Sequence, residues 1–411
     1  MAAPDNNLLK DVHTMVDMVV EETDQASGFS KSIPTFAFGD VDGQRYDDVE
    51  YLPEDFRFEA QDGYVSQADN SDAQALTDRL IPIRRNKSLY IKTAIKTKEL
   101  RDPRLRAMAV KGFAREIRNK VDTYCYTKAI NNANMVVTSS AAIEQSDTSS
   151  AEILMLDAGL GGYSSNLHLS LPHYKGLSDK LALNQYHGGL PQTAYERSII
   201  PNQIGGFDKA VRADYRLTLG AQSASGVTVT GNQSHTVETK DANDNYIDNR
   251  VMDLTMSATA GLKAGDKFTI AGVNRLNPEV REDTDELMTF TVMSVKNGTV
   301  ANISPAIIVD GPYRNCSAQA AGSAAISFLN IASNNPSVFW ATDSMKLIPG
   351  NLPVEGGGVD KVDAVTDQGL PMRFTYWYDP DLETMLMKVV IFFDMEVWLP
   401  SQVGIILDKQ A

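Results

Sequence analysis

The sequence predicts an α+β protein of several domains, with a small antiparallel β-barrel inserted into a larger mixed domain. Three observations carry this expectation. At 411 residues the chain exceeds the usual single-domain range, so two or three domains are expected. A long one-sided helical repeat follows Asp102-Pro103. Between Val227 and about Ile308 the pattern changes to short alternating strands, with mixed α/β segments on either side.

The chain opens with an arm over residues 1–35. Leu8, Leu9, Val12, Met15, Val16, Val19 and Val20 recur at helical spacing, with Asp11, Asp17, Glu21 and Glu22 among or after them. This is a short acidic amphipathic helix, and two readings stand: it docks on its own domain, or it is an arm that binds a partner. Residues 36–78 carry the turn pairs Asp42-Gly43 and Asp62-Gly63. Tyr46, Tyr51, Phe56, Phe58 and Tyr64 punctuate this stretch, which has almost no aliphatic core. It reads as an extended acidic hairpin that cannot bury itself and must lie on something else. Its acidic groups Asp47, Asp48, Glu50, Glu54 and Asp55 are candidate contacts to a neighbouring copy.

Residues 79–135 return as basic strands (80–96) and then the long helix. Asp102 is an N-cap and Pro103 suits the first helical position. Leu105, Ala109, Phe113, Ile117, Val121 and Cys125 follow at four-residue intervals, joined by Met108 and Tyr124, and predict a helix to about Asn131. Arg104, Arg106, Lys111, Arg115, Arg118 and Lys120 cover much of its other surface. Either that surface is simply solvated, or it faces nucleic acid or an acidic partner.

Residues 136–222 read as mixed α/β with many turns. Residues 223–330 form the predicted inserted barrel. Within it Gly261, Gly265 and Gly272 mark turns, Lys263 and Asp266 are expected at the surface of a turn, and Asn297-Gly298 predicts a two-residue hairpin. Two polar loops interrupt its strands, at residues 238–250 and 274–286. Residues 331–411 resume the surrounding domain and close with strands near "MRFTYWYDPD" and "KVVIFFDMEVWL".

Charge is unevenly placed. Residues 1–78 hold 18 acidic against 4 basic groups, and residues 79–128 hold 15 basic against 4 acidic. Such segments attract one another, within a chain or between copies. The overall charge of −15 argues against a free-standing nucleic-acid binder. Two cysteines, Cys125 and Cys316, imply no disulfide framework or zinc knuckle. The start "MAAPDNNLLKD" lacks a signal-peptide pattern, and no apolar run approaches the roughly 20 residues that cross a bilayer. A soluble protein with no membrane partner is expected.

Sites of chemistry are absent from the pattern. The pair His168 and His173 has no cysteine or carboxylate beside it that would make a metal site. No phosphate loop, dinucleotide fingerprint or Gly-x-Ser-x-Gly elbow occurs. The acidic hairpin is too polar to raise a carboxyl pKa by burial. No enzyme activity, cofactor or metal is expected. Large polar extensions without chemistry point to a protein whose product is its own contacts. A hairpin that reached a neighbouring copy would make a head-to-tail contact, which closes into rings. A β-rich decoration or surface-adhesion protein is the alternative, but it would not need the basic helix or the acidic arm.

Several stretches resemble one family, the major coat proteins of tailed double-stranded-DNA bacteriophages, and within it the short-tailed Salmonella-type coat proteins with an inserted β-barrel domain. "DNRVMDLTMSATAGLKAGDKFTIAGV" (Asp248–Val273) is similar to that group's inserted domain almost position by position. "GVTVTGNQS" resembles its first strand, "GGFDKAVR" the segment before it, "VFWATDSMKLIP" the re-entry into the capsid domain and "VDMVVEE" the acidic N-terminal helix. The resemblance implies the Hong Kong ninety-seven capsid fold, with an extended loop, a spine helix and an axial domain. It also implies rings of five and six copies forming an icosahedral procapsid, guided by a scaffolding protein, which then expands to hold packaged double-stranded DNA. A portal protein is a further implied partner, with assembly in the bacterial host cytoplasm and residence in the virion. On this resemblance Asp241, Asp244, Asp248 and Arg250 are candidates for a loop joining capsomers. Asp17, Glu21 and Glu22 are candidates for recruiting a basic scaffold segment, and residues 274–286 match a loop tied to shell size. Residues 350–369 are shorter than in that group and receive no assignment.

Overall fold

The computed structural model describes residues 14–22, 28–36, 49–54, 56–58, 79–84, 87–96, 102–183, 200, 203–213, 217–350, 360–379 and 384–410. The chain forms two compact units. One comprises Met1–Glu50, Ile83–Tyr126 and Met345–Glu396; the other comprises Tyr51–Pro82, Thr127–Ser344 and Val397–Ala411.

In the first unit, Met345–Pro349, Thr384–Val397, Pro371–Asp379 and Asp360–Val365 lie side by side in one sheet, and Lys87–Lys96 also pairs along Thr384–Val397. Met372, Phe374 and Tyr376 stand opposite Ile391, Val389 and Met387, and all six are buried. Period-2 patterning thus gives this sheet one continuous apolar face. The long helix, Pro103–Asn132, starts as its sequence predicts, with the Arg104 N–H donating to Asp102 Oδ1 at 2.9 Å. Val110, Phe113, Ala114, Ile117, Val121 and Cys125 are buried. Leu105 and Met108, expected on the same stripe, are exposed, so the buried stripe begins only at the second helical turn. Tyr124 packs edge-on to Phe393 and donates its hydroxyl to Asp394 at 2.8 Å.

The N-terminal segment docks on this unit. Met15, Val16 and Val19 on the helical residues 14–22 are buried, which resolves the open reading of that apolar face. Phe29 meets Tyr126 edge-on, and the buried Asp122 carboxylate accepts both the Ser30 N–H (2.9 Å) and its hydroxyl (2.8 Å).

The second unit holds two five-stranded sheets. One runs in the order Met135–Thr138, Val403–Leu407, Ser337–Ala341, Ser165–Leu169, Lys209–Arg212, with parallel pairs at its outer edges. Its inner strands "VGIIL" and "SVFWA" are buried at every position, as two-sided burial requires. The packing there is close: a Cβ at Gly404 would sit 2.1 Å from the Phe339 ring.

The other is the inserted sheet, antiparallel in the order Ile326–Phe328, Lys267–Leu276, Asp283–Val295, Val300–Ser304, Met252–Thr255. Leu254, Phe268, Ile270, Phe290, Val292 and Ile303 form its core. The expected barrel is not closed by a continuous ladder. Residues 227–230 bond both edges, through Ile326 N–H to Val227 O (3.0 Å) and Thr230 N–H to Thr255 O (2.9 Å), but only as isolated bridges. Gly226 and Gly231, both at positive φ, turn the chain on either side of this segment. The predicted turns at Gly261 and Gly265 are present, with φ of 85° and 95°. The turn expected at Gly272 is not: at φ 80° this glycine lies inside the strand Lys267–Leu276, where the pairing with Asp283–Val295 shifts register. The hairpin at Asn297-Gly298 is longer than two residues. Lys296 N–H donates to Val300 O (3.0 Å), and the Asn297 side chain accepts the N–H groups of Thr299 (2.9 Å) and Val300 (2.8 Å), closing a four-residue connection. Asp266 is buried rather than at the turn surface; its carboxylate accepts Lys263 N–H (2.7 Å), Gln222 Nε2 (2.6 Å) and Asn330 Nδ2 (3.0 Å).

Candidate assembly surfaces

The loop over residues 238–250 is a small hairpin with its own internal bonding. Asp241 folds it: one carboxylate oxygen accepts the N–H groups of Asn243 (2.8 Å) and Asn245 (2.9 Å), an Asx-type turn. Those bonds, the one from the Asn245 backbone foremost, hold its carboxyl below the usual range. Asp244 occupies the tip at φ 65°, 84% exposed, within 2.8 Å of Lys240 Nζ. Lys240 also stands over the Tyr246 ring, which meets Tyr51 at 4.7 Å. Asp248 and Arg250 lie at the base and face each other, Nη2 to Oδ2 at 2.9 Å, while Arg250 Nη1 donates to Val397 O at 2.9 Å. Of the four candidates, Asp244 is the one presented outward. Asp248 and Arg250 anchor the loop because their charges are already paired inside the subunit.

The loop expected over residues 274–286 is shorter, because residues 274–276 and 283–286 are paired strand ends. The connection 277–282 is shaped by Asn277, whose side-chain oxygen accepts Glu279 N–H (2.9 Å) and Val280 N–H (3.2 Å), leaving Val280 exposed. Arg281, at φ 59°, donates to Phe58 O at 2.7 Å.

In the acidic segment, Val49–Pro53 pairs with Leu80–Arg84. Glu54, expected to reach a neighbouring copy, is buried against Arg79 at 3.3 Å, and Arg79 stacks over Tyr313 at 4.9 Å. Burial lowers the Arg79 guanidinium from its ordinary value and Glu54 pulls it back up. A desolvated carboxylate so paired is not available to another chain. Glu50 is half-buried, and Asp47, Asp48 and Asp55 lie outside the described residues.

On the helical residues 14–22, Asp17 and Glu21 are exposed and Glu22 is half-exposed. Along the long helix Arg104, Lys111, Arg115 and Lys120 are exposed and Arg118 is half-buried; the side chain of Arg106 lies outside the described set. Lys120 is 3.9 Å from Glu116, an exposed pair of little energetic weight. A second basic feature was not read from the sequence. Lys361, Thr375, Lys388 and Lys92 fall in one cross-strand row of the first unit's sheet. Lys388 stands directly opposite Lys92, an arrangement that repels and that an anionic partner would relieve. Strand register alone brings these residues together, so their sequence spacing carries no signal.

The described residues also hold a buried Ser–His–Asp grouping. His173 Nδ1 is 2.6 Å from Ser337 Oγ, and its Nε2 is 3.5 Å from Asp408 Oδ1, which also accepts from Asn334. Ser337 is fully buried and accepts the Ser170 N–H at 2.9 Å. A serine enclosed in this way meets no substrate, and the grouping ties the helix Leu171–Leu183 to two strands. His168, buried against Trp340, is held neutral, its pKa pushed down to about 3 by burial and then by Lys209. Among the described residues, no cluster of three or more His, Cys, Asp or Glu could hold a metal, and no helix is long and apolar enough to cross a membrane.

Solved structures similar to this chain include the CUS-3 coat protein I-domain, 42% identical, covering 26% of this chain and 98% of that one with a TM-score of 0.23. The mature capsid of bacteriophage PhiM1 is 9% identical, covering 94% and 89%, with a TM-score of 0.48. A structure from Mycobacterium phage Che8 is 10% identical, covering 87% and 84%, with a TM-score of 0.43. The family described as P22 coat protein, gene protein 5, matches residues 1–408. With that match running through both units and the inserted sheet, the chain belongs to the P22 coat protein family and is a bacteriophage capsid protein.

Proposed function

We propose that this chain is the major coat subunit of a tailed-phage shell, assembling with copies of itself into rings of five and six in a Hong Kong ninety-seven type lattice. The family match over residues 1–408 carries this reading. On this reading a scaffolding protein guides closure of a procapsid in the host cytoplasm, a portal protein occupies one vertex, and the shell expands as double-stranded DNA enters. The inserted sheet serves as a contact module, whether or not its edges close into a barrel in the shell.

Charge supports a division of labour. The acidic segment around Asp47, Asp48, Glu50 and Asp55 of one copy lies on a basic surface of the next, for which the Lys361–Lys388–Lys92 row and the helix cations are the candidates. Asp244 forms the contact tip of the 238–250 loop, with Asp241 folding the turn behind it and Asp248 and Arg250 fixing its direction. Asp17, Glu21 and Glu22 project from a helix whose apolar face is already covered, which suits recruitment of a basic scaffold segment. Exposed ion pairs contribute about 0–1 kcal/mol each, so single contacts release easily and many together hold. Packaged DNA meets only diffuse positive charge, without sequence readout.

Electron microscopy of the purified chain, alone and with its scaffold, is the test. Shells, rings or tubes are expected; uniform monomers at every protein concentration and ionic strength would defeat the reading.

A further inference from the structure

Lys267 is fully buried, and its Nζ stands at the C-terminal end of the long helix. It lies 2.8 Å from the Ile130 carbonyl oxygen, 2.7 Å from that of Ala133, 2.9 Å from Thr291 Oγ1 and 3.5 Å from the Asn131 oxygen. The Thr291 hydroxyl gives its hydrogen to the Ala133 oxygen at 2.7 Å, so it turns a lone pair to the lysine. Each of these four oxygens accepts. Three close acceptors match the three N–H bonds of an ammonium, whereas a neutral amine would press its lone pair against an oxygen. Burial drives the group well below the ordinary lysine range, with the adjacent Asp266 acting in the opposite sense.

The position is one where a cation belongs. The last carbonyls of a helix lack partners in the helix and carry its partial negative charge. This helix has no basic residue in its own last turn. The inserted sheet supplies what is missing: Lys267 and Thr291 serve the oxygens of residues 130 and 133, and the Thr289 hydroxyl donates to the Asn134 oxygen. The lysine is itself held in place. Its backbone N–H donates to Asn330 Oδ1 at 3.1 Å, and the turn before it presses on the helix so closely that a Cβ at Gly265 would sit 2.7 Å from Asn131 Oδ1.

We propose that the end of the long helix is a binding cage for a primary ammonium, which the chain fills with the tethered ammonium of Lys267. The last helical turn and the strand Met135–Thr138 are then fixed only while the inserted sheet is folded. This role stands whether or not the subunit assembles as proposed above.

The test uses the full-length unassembled subunit, with amide hydrogen exchange read by mass spectrometry over residues 127–138. Lys267→Ala is expected to speed exchange there by about tenfold or more, the loss of roughly one to two buried hydrogen bonds, and to leave Ser337–Ala341 and Val403–Leu407 protected. Propylammonium chloride should restore protection and sodium chloride at equal ionic strength should not. Wild-type exchange in the variant, or lost protection that propylammonium does not restore better than sodium, would overturn the cage. Should Lys267→Ala fail to fold, Thr291→Val decides instead. It keeps the lysine and removes one oxygen, so faster exchange confined to 127–138 is expected, and unchanged exchange rejects the proposal.

Discussion

Arg250 grips Asp248 two residues before it with one edge of its guanidinium, Nε to Oδ1 at 3.0 Å and Nη2 to Oδ2 at 2.9 Å. Because Nη1 also reaches Val397 O, this fork fixes where the 238–250 loop leaves the subunit. Arg250→Ala should therefore lower the stability of the isolated subunit by about 1–3 kcal/mol. Urea denaturation checks this, and an unchanged midpoint would remove the anchoring role.

Asp244 should behave in the opposite way. It is exposed at the tip and its pairing with Lys240 is solvated, so Asp244→Lys should leave subunit stability within about 0.5 kcal/mol. On the proposed function it should nevertheless weaken shells or give tubes. Micrographs of normal shells from this variant would exclude the tip as a contact.

Asp122 is a buried carboxyl whose pKa is raised, by desolvation first and against the two Ser30 bonds. A carboxyl that holds its proton more tightly in the folded state destabilises that state once both forms are ionised. Stability from this group therefore falls as pH rises from about 3.8 through its folded value, and stays reduced above it. Asp122→Asn keeps an acceptor for Ser30 and removes the buried charge, so at neutral pH it should be as stable as wild type or more so. Asp122→Ala strands the Ser30 donors and should cost about 1–3 kcal/mol. Thermal denaturation of both variants at pH 4 and pH 7 separates the two effects.

Asp408 shows the reverse sign. The His173 ring beside it, Nε2 3.5 Å from Oδ1, holds its carboxyl below the ordinary range, with burial opposing. Its contribution is complete above about pH 3.8 and is lost as pH falls through the lower folded value. Asp408→Asn should flatten that acid limb of the stability profile, which an acid titration followed by near-ultraviolet circular dichroism would reveal.

Gly404 and Phe339 are locked by volume. Gly404→Ala should cost about 1–3 kcal/mol or more, and Phe339→Leu should relieve part of it, since residues in contact couple. Additive losses in the double variant would show that the ring is not the obstacle.

Much of the fold was legible because its signals are local. Asp102 and Pro103 mark a helix start through bonds within one turn, and the strand expected near "MRFTYWYDPD" is present as Pro371–Asp379. The turns at Gly261 and Gly265 were legible for the same reason, whereas Gly272 falls inside a strand at a register shift. The candidate site was legible only as composition. Asp244, Asp248 and Arg250 look alike as charged loop residues, yet one is an exposed tip and two are an anchor, a difference set by the reach of Arg250 to Val397. The Lys361–Lys388–Lys92 row is invisible without strand register.

By itself the sequence determined where the long helix begins, which residues it buries through its middle turns, and the opposite charges of the first two segments. Only the tertiary structure decided how that helix ends, that Asp266 lies inside rather than at the surface of a turn, that Lys267 is buried, and that the inserted strands form an open sheet bonded at both edges by residues 227–230. The physical reason is range. A helix start is capped by the residue beside it, whereas this helix end is capped by Lys267, Thr289 and Thr291, more than 130 residues away along the chain.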